Sequence, residues 1–345
     1  MKPKNFNRRK FLGAAALGTA GLALRPTSIF AGPSIIKSLN KPNSLISGVQ
    51  IGVITYSFRS MPDQSAEATL QYVLDSGISA IELMGDPAEA FAGKPENPVD
   101  RRAFYGLMRA KREGDISNDQ AKELAELQAQ SKSYNKQVAK WREAMSMKDF
   151  KKLRKMYNDA GVSIYAFKPR AFGKDNSDAE INWGMQAAKA LGASHVTVEH
   201  PSDDAHTLRL GKIAKKNKIY VGYHGHEQQT PTLWDIALKQ SQYNALNLDL
   251  GHYVAAGNDK ALEIIKAKSS NIKSMHLKDR QTPENEKGNL LWGSGDTPIA
   301  AALQLMRDNG YKFPGTIELE YKIPEGSNAV DEVKKCLAYC EKALK

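Results

Sequence analysis

All seven histidines of this 345-residue sequence lie between positions 195 and 276, most of them beside carboxylates in short apolar runs. The runs are HVTVEH (195–200), YVGYHGHE (220–227), LNLDLGHY (246–253) and IKSMHLKD (272–279), and GTIELEY (315–321) adds two more carboxylates. Imidazole with carboxylate is a ligand set for divalent metal ions, and either group can move protons. In an extended strand every second side chain shares a face. One parity carries Thr197 and Glu199; His224 and His226; Asn247 and Asp249; Ser274, His276 and Lys278; Thr316, Glu318 and Glu320. The other carries Val196 and Val198; Val221 and Tyr223; Leu246, Leu248 and Leu250; Met275 and Leu277; Ile317 and Leu319. Five successive strands with one apolar and one ligand-bearing face predict a shared polar site.

Such a site needs a frame that brings five strand ends together. Apolar runs at 49–58, 78–85 and 163–169 add three strands, for eight in all. Helical periodicity falls at 64–76, 177–191, 203–216, 258–268, 298–309 and 328–344, between most of the strands. Alternating strands and helices imply parallel strands with right-handed crossovers. Eight repeats predict an α/β fold, a closed (β/α)8 TIM barrel, whose sites open at the carboxyl ends of the strands. No Gly-rich phosphate fingerprint follows the first strand, which argues against a dinucleotide-binding sheet. Residues 86–155 break the rhythm as a long helical insertion between strands two and three, with 16 basic against 11 acidic residues. The insertion reads as a solvated excursion, a lid over the barrel mouth or a homo-oligomer contact.

The formal charge of +11 needs dissecting before it implies a partner. Residues 1–31 hold six basic residues and no acid; the remainder, 43 basic against 38 acidic, is too weakly biased to indicate nucleic acid. NRRKFLG (7–13) sets paired arginines before a short apolar stretch too short to span a membrane, a pattern that resembles a twin-arginine export signal. Expected divisions are therefore a signal at 1–31, a tether at 32–47 and the barrel at 48–345. An exported, periplasmic protein without a stable membrane anchor follows. Cys336 and Cys340, four apart in the last helix, read as core packing rather than a disulfide framework.

Within the polar constellation, Glu199, Asp249, His276 and Glu318 supply three carboxylates and an imidazole from four strands. Burying those carboxylates together demands a cation or protonation. His224 is a further base candidate, and Asp249-x-Gly-His can also be turn chemistry. Lys168 and Lys278 could stabilise an oxyanion or salt-bridge the extra carboxylates. His195, His200 and His206 read as supporting residues, and the loop 280–297, with GSGD at 293–296, is expected to fold over the mouth.

The order YSF, AIEL, YHGHE, LDLGH, MHLKD, GSGD and TIELE resembles the xylose isomerase-like barrel superfamily, also called sugar phosphate isomerase/epimerase, over roughly residues 48–343. That resemblance implies one divalent metal ion, with Mn or Mg favoured and Co or Zn open, on Asp249, His276 and Glu318. Glu199 supplies the fourth ligand where similar epimerases use a strand-five Glu and this chain has His224; Glu320 is the reserve. It further implies isomerisation or epimerisation through an enediolate, with Glu199 and Glu318 as base and acid. The sequence departs from the usual strand-five HNH, which here is His224-Gly225-His226. Export points to an unphosphorylated sugar or sugar derivative. A 3-keto-glycoside lyase or hydrolase would use the same enolisation, and an exported sugar-binding barrel would bind without chemistry. A zinc-cluster nuclease of this fold needs histidines on strands one to three, which have none.

Overall fold

A computed structural model describes residues 41–345. The expected twin-arginine signal (1–31) and the first part of the tether lie outside them. Eight strands, β1 (Val49–Ile54), β2 (Ala80–Met84), β3 (Ser163–Lys168), β4 (His195–Glu199), β5 (Tyr220–His224), β6 (Asn244–Asp249), β7 (Ile272–Leu277) and β8 (Gly315–Ile317), pair in parallel with their sequence neighbours. β8 pairs with β1, so the sheet closes into the expected TIM barrel.

The two faces of the strands divide as the parity predicts. Val196, Val221, Leu246, Leu248, Met275, Leu277 and Ile317 are buried in one apolar core with Leu210, Ile264, Leu303 and Val333 of the surrounding helices. Each such side chain contributes roughly 1.5–3 kcal/mol on leaving water. Thr197, Asn247, Ser274, His276 and Thr316, on the opposite parity, are equally buried and hydrogen-bond to one another or to side chains of other strands, several of them across the barrel. The barrel interior is polar.

The helices follow local rules. Residues Asp178–Leu191 begin with a capping box, Ser177 with Glu180, and end at Gly192 in the left-handed region. Cys336 and Cys340 are both buried and free on the last helix, Ala329–Leu344. The sixth run departs from expectation: β6 stops at Asp249 and Leu250–Ala255 is helical, because the Asp249 carboxylate accepts the His252 amide at 2.7 Å and caps a turn there.

The insertion comprises helices Gly85–Phe91, Arg101–Glu113, Asn118–Ala144 and Lys148–Asp159. Among the described residues no helix is long and apolar enough to cross a membrane. The 27-residue helix is held to the barrel at its carboxyl end. There the buried Arg142 pairs with Glu180 at 2.9 Å and Glu89 at 3.4 Å, lies over Trp183, and Trp141 meets the same ring edge-on. Removing one member of a buried pair strands the other charge. Arg142→Ala should therefore lower stability by about 3 kcal/mol in urea unfolding. A change well under 1 kcal/mol would show that the insertion is anchored elsewhere.

Candidate metal centre and its cavity

The carboxyl ends of β5 to β8 bring together His224, Asp249, His276 and Glu318, whose ligand atoms all lie within 4.8 Å of one another. His276 Nδ1 is 2.8 Å from Glu318 Oε2 and 3.8 Å from Asp249 Oδ2; His224 Nε2 is 3.8 Å from the same Asp249 oxygen. Asp249 uses Oδ1 to cap the following helix and turns Oδ2 inward, so turn chemistry and a ligand role coexist in one side chain. Oδ2 lies 3.0 Å from Lys278 Nζ yet takes no well-directed hydrogen bond. A buried carboxylate oxygen without a well-directed hydrogen bond, facing two imidazoles and a second carboxylate, fits a divalent cation.

Glu199, expected as the fourth ligand, stands apart. It is the last residue of β4, its side chain is 54% exposed, and it pairs with Lys168 at 3.0 Å and His226 at 3.4 Å. His224 takes the fourth corner instead. Glu320 is outside the cluster, on the cavity lining, 2.8 Å from Lys278 Nζ. Lys278 itself is buried, bridging Asp249, Glu318 (2.7 Å) and Glu320, so its ammonium serves the carboxylates. Gly251 makes that placement possible, because a Cβ there would overlap Lys278 Cγ. Lys168 pairs with Glu199 and also lines the cavity.

The residue that parity left unassigned is Glu82 of β2. It is fully buried, accepts Thr197 Oγ1 at 2.6 Å and Asn247 Nδ2 at 2.9 Å, and lies 2.8 Å from His276 Nε2. The available signal was an acid between Ile81 and Leu83 in an otherwise apolar strand. Burial disfavours the Glu82 anion, but His276, Lys168 and Thr197 together outweigh it and take the pKa to about 2. Burial likewise opposes the His276 imidazolium, while Glu82 and Glu318 on either side raise its pKa to about 10. Burial, reinforced by Lys168 and His276, holds His224 well below the ordinary imidazole value and therefore neutral.

A cavity of about 740 Å³ opens from this cluster. His224, Glu318, Glu199, Lys168 and His226 line its floor, and the loops at 169–174 and 200–206 extend it past Phe172, Pro169 and Pro201. No residue of the insertion beyond Met84 or of 280–297 lines it. The latter loop wraps Asp279 instead: its carboxylate accepts the backbone amides of Gly293, Ser294, Gly295 and Thr297 at 2.7–3.2 Å. Gly295 leaves room for that approach. Of the other histidines, His200 and His206 line the cavity, with His206 Nε2 2.8 Å from the Phe172 carbonyl, and His195 is buried inside the barrel against Ser274. His252 contacts Arg280 at 2.6 Å.

Residues 126–342 match the family described as xylose isomerase-like TIM barrel. The chain belongs to that family. No curated protein matches this xylose isomerase-like chain. Solved structures that share its fold include a sugar phosphate isomerase/epimerase from Parabacteroides distasonis, 18% identical, covering 88% of this chain and 98% of that one with a TM-score of 0.54. A probable 3-DHS dehydratase from Bacillus anthracis is 15% identical over 84% of this chain and 97% of that one, TM-score 0.54. A 3-keto-D-glucoside 4-epimerase from E. coli is 10% identical over 85% and 99%, TM-score 0.55.

The raised His276 pKa has a consequence for the metal-free protein. A group protonated more tightly when folded stabilises fully below its unfolded pKa, and that stability disappears as pH rises through the folded one. Between pH 6.5 and about 10 the metal-free protein should lose stability, and His276→Gln should lose less over the same window. Thermal melting across this range tests it; parallel slopes would contradict it.

Proposed function

We propose that this chain is a divalent-metal-dependent isomerase or epimerase acting on an unphosphorylated sugar or sugar derivative. The reading is carried by one juxtaposition: two members of a four-residue ligand cluster, His224 and Glu318, also wall a cavity that holds a separate carboxylate–ammonium pair, Glu199–Lys168. A divalent ion on the four ligands would polarise a sugar carbonyl and its neighbouring hydroxyl and acidify the C–H between them. Glu199, accessible and outside the ligand set, is the group placed to take that proton. Lys168 pairs with Glu199 at 3.0 Å and brings positive charge toward the developing enediolate oxygen. Glu318, which lines the cavity with Glu199 and Glu320, is the candidate for returning a proton, one it would first take up from solvent. Return to the same carbon from the other face inverts it; return to the neighbouring carbon isomerises the sugar. Two imidazoles with two carboxylates form a mixed ligand set that suits Mn, Co or Zn as well as Mg.

The extended cavity also supports a second reading, a 3-keto-glycoside lyase or hydrolase. A single sugar ring does not need the apolar wall of Phe172, Pro169 and Pro201, which gives room for the group attached to it. The same proton removal then expels that group, and the keto-glucoside epimerase among the structural relatives gives such a substrate a precedent on this fold. Passage through the twin-arginine route belongs to this proposal and rests on residues 7–24.

Incubation with ketoses and 3-keto-glycosides in heavy water, with Mn, Mg, Co or Zn added in turn, tests the reading. Deuterium should enter at the carbon beside the carbonyl, and Glu199→Gln should slow its entry by about 10²–10⁴. The products separate epimerisation from elimination. A sugar that binds and returns unlabelled with every metal would contradict the proposal and favour a binding barrel.

A further inference from the structure

Each histidine in the cluster has two nitrogens, and only one of them faces the other ligands. We infer that Glu82 and Asn247 are positioning residues that fix which nitrogen of His224 and of His276 meets a bound divalent ion. This rests on the metal-site reading above.

The hydrogen-bond polarity follows from a single buried group. The Glu82 carboxylate offers acceptors and no donor to a neighbouring amide. The amide nitrogen of Asn247 must therefore be the end that faces it, at 2.9 Å, and its other hydrogen reaches Ser274 Oγ at 2.8 Å. That orientation turns Asn247 Oδ1 to His224 Nδ1, at 2.9 Å. An amide oxygen only accepts, so Nδ1 of His224 carries the hydrogen and Nε2 presents its lone pair toward Asp249. The same Glu82 oxygen accepts from His276 Nε2 at 2.8 Å, which leaves Nδ1 as the nitrogen facing Asp249 and Glu318. Rotating the Asn247 amide would break its contacts to Glu82, Ser274 and His224 together. Thr197 Oγ1 holds the remaining Glu82 oxygen at 2.6 Å. Three strands, β2, β4 and β6, thus act on the metal centre without supplying these positioning side chains as ligands. Partners of this kind fix imidazole tautomer and orientation at metal sites, and their loss weakens metal affinity by 10–100-fold in general.

The test uses zinc as the probe on full-length protein with 15N-labelled histidine. Two-bond 1H–15N correlation spectra of the zinc-loaded wild type should show His224 bound through Nε2 and His276 through Nδ1. Competition with a chromophoric chelator should show zinc affinity falling roughly 10–100-fold in both Glu82→Gln and Asn247→Ala. Binding of His276 through Nε2 or His224 through Nδ1 in the wild type overturns the inference without recourse to a variant. So do folded variants, judged by cooperative melting, that bind zinc as tightly as the wild type. A wild type that binds no zinc overturns the metal-site reading itself, a result distinct from both.

Discussion

Three carboxylates, Glu82, Asp249 and Glu318, are buried around one imidazole, that of His276, at the carboxyl end of the barrel. Anions gathered in a poorly solvated interior oppose one another's ionisation unless cations or donors compensate them. In the metal-free protein His276 and Lys278 supply that compensation, and Lys278 also takes on Glu320. Four carboxylates against two cations leave the centre short of positive charge. A divalent ion on the proposed ligands would make up that shortage.

The rest of the architecture serves that concentration of charge. A closed parallel barrel lets adjacent strands deliver Asp249 and His276 in register, with Glu318 two residues beyond His276's partner Thr316, and lets Glu82 reach His276 from across the interior. The interior is polar because its hydrogen bonds close on themselves: Glu82 with Thr197 and Asn247, Asn247 with Ser274, Ser274 with His195. Apolar burial is left to the outward faces of the strands. The insertion docks through its own buried ion pairs at Arg142 and does not reach the cavity wall.

Period-two alternation located five strands, each with an apolar face that must meet a helix and a polar face that must find partners, and apolar runs located the other three. It also placed Asp249, His276 and Glu318 on the inner face. Parity does not report depth, however. Glu199 and His224 are cross-strand neighbours in register, yet the end of β4 leaves Glu199 half in solvent while His224 is buried. Only the tertiary packing around the two strand ends separates them. Glu82 was visible as an acid in an apolar strand, but its partner lies 194 residues away, which local pattern cannot reveal. The GSGD segment pointed to a loop over the mouth; its amides instead serve the Asp279 carboxylate next to β7.

Metal content decides the central claim most directly. Protein purified without chelator should carry about one divalent ion per chain. Asp249→Ala and His276→Ala, each folded by cooperative melting, should carry none. A folded wild type that takes up no Mn, Mg, Co or Zn would contradict the metal centre and the proton-transfer chemistry built on it.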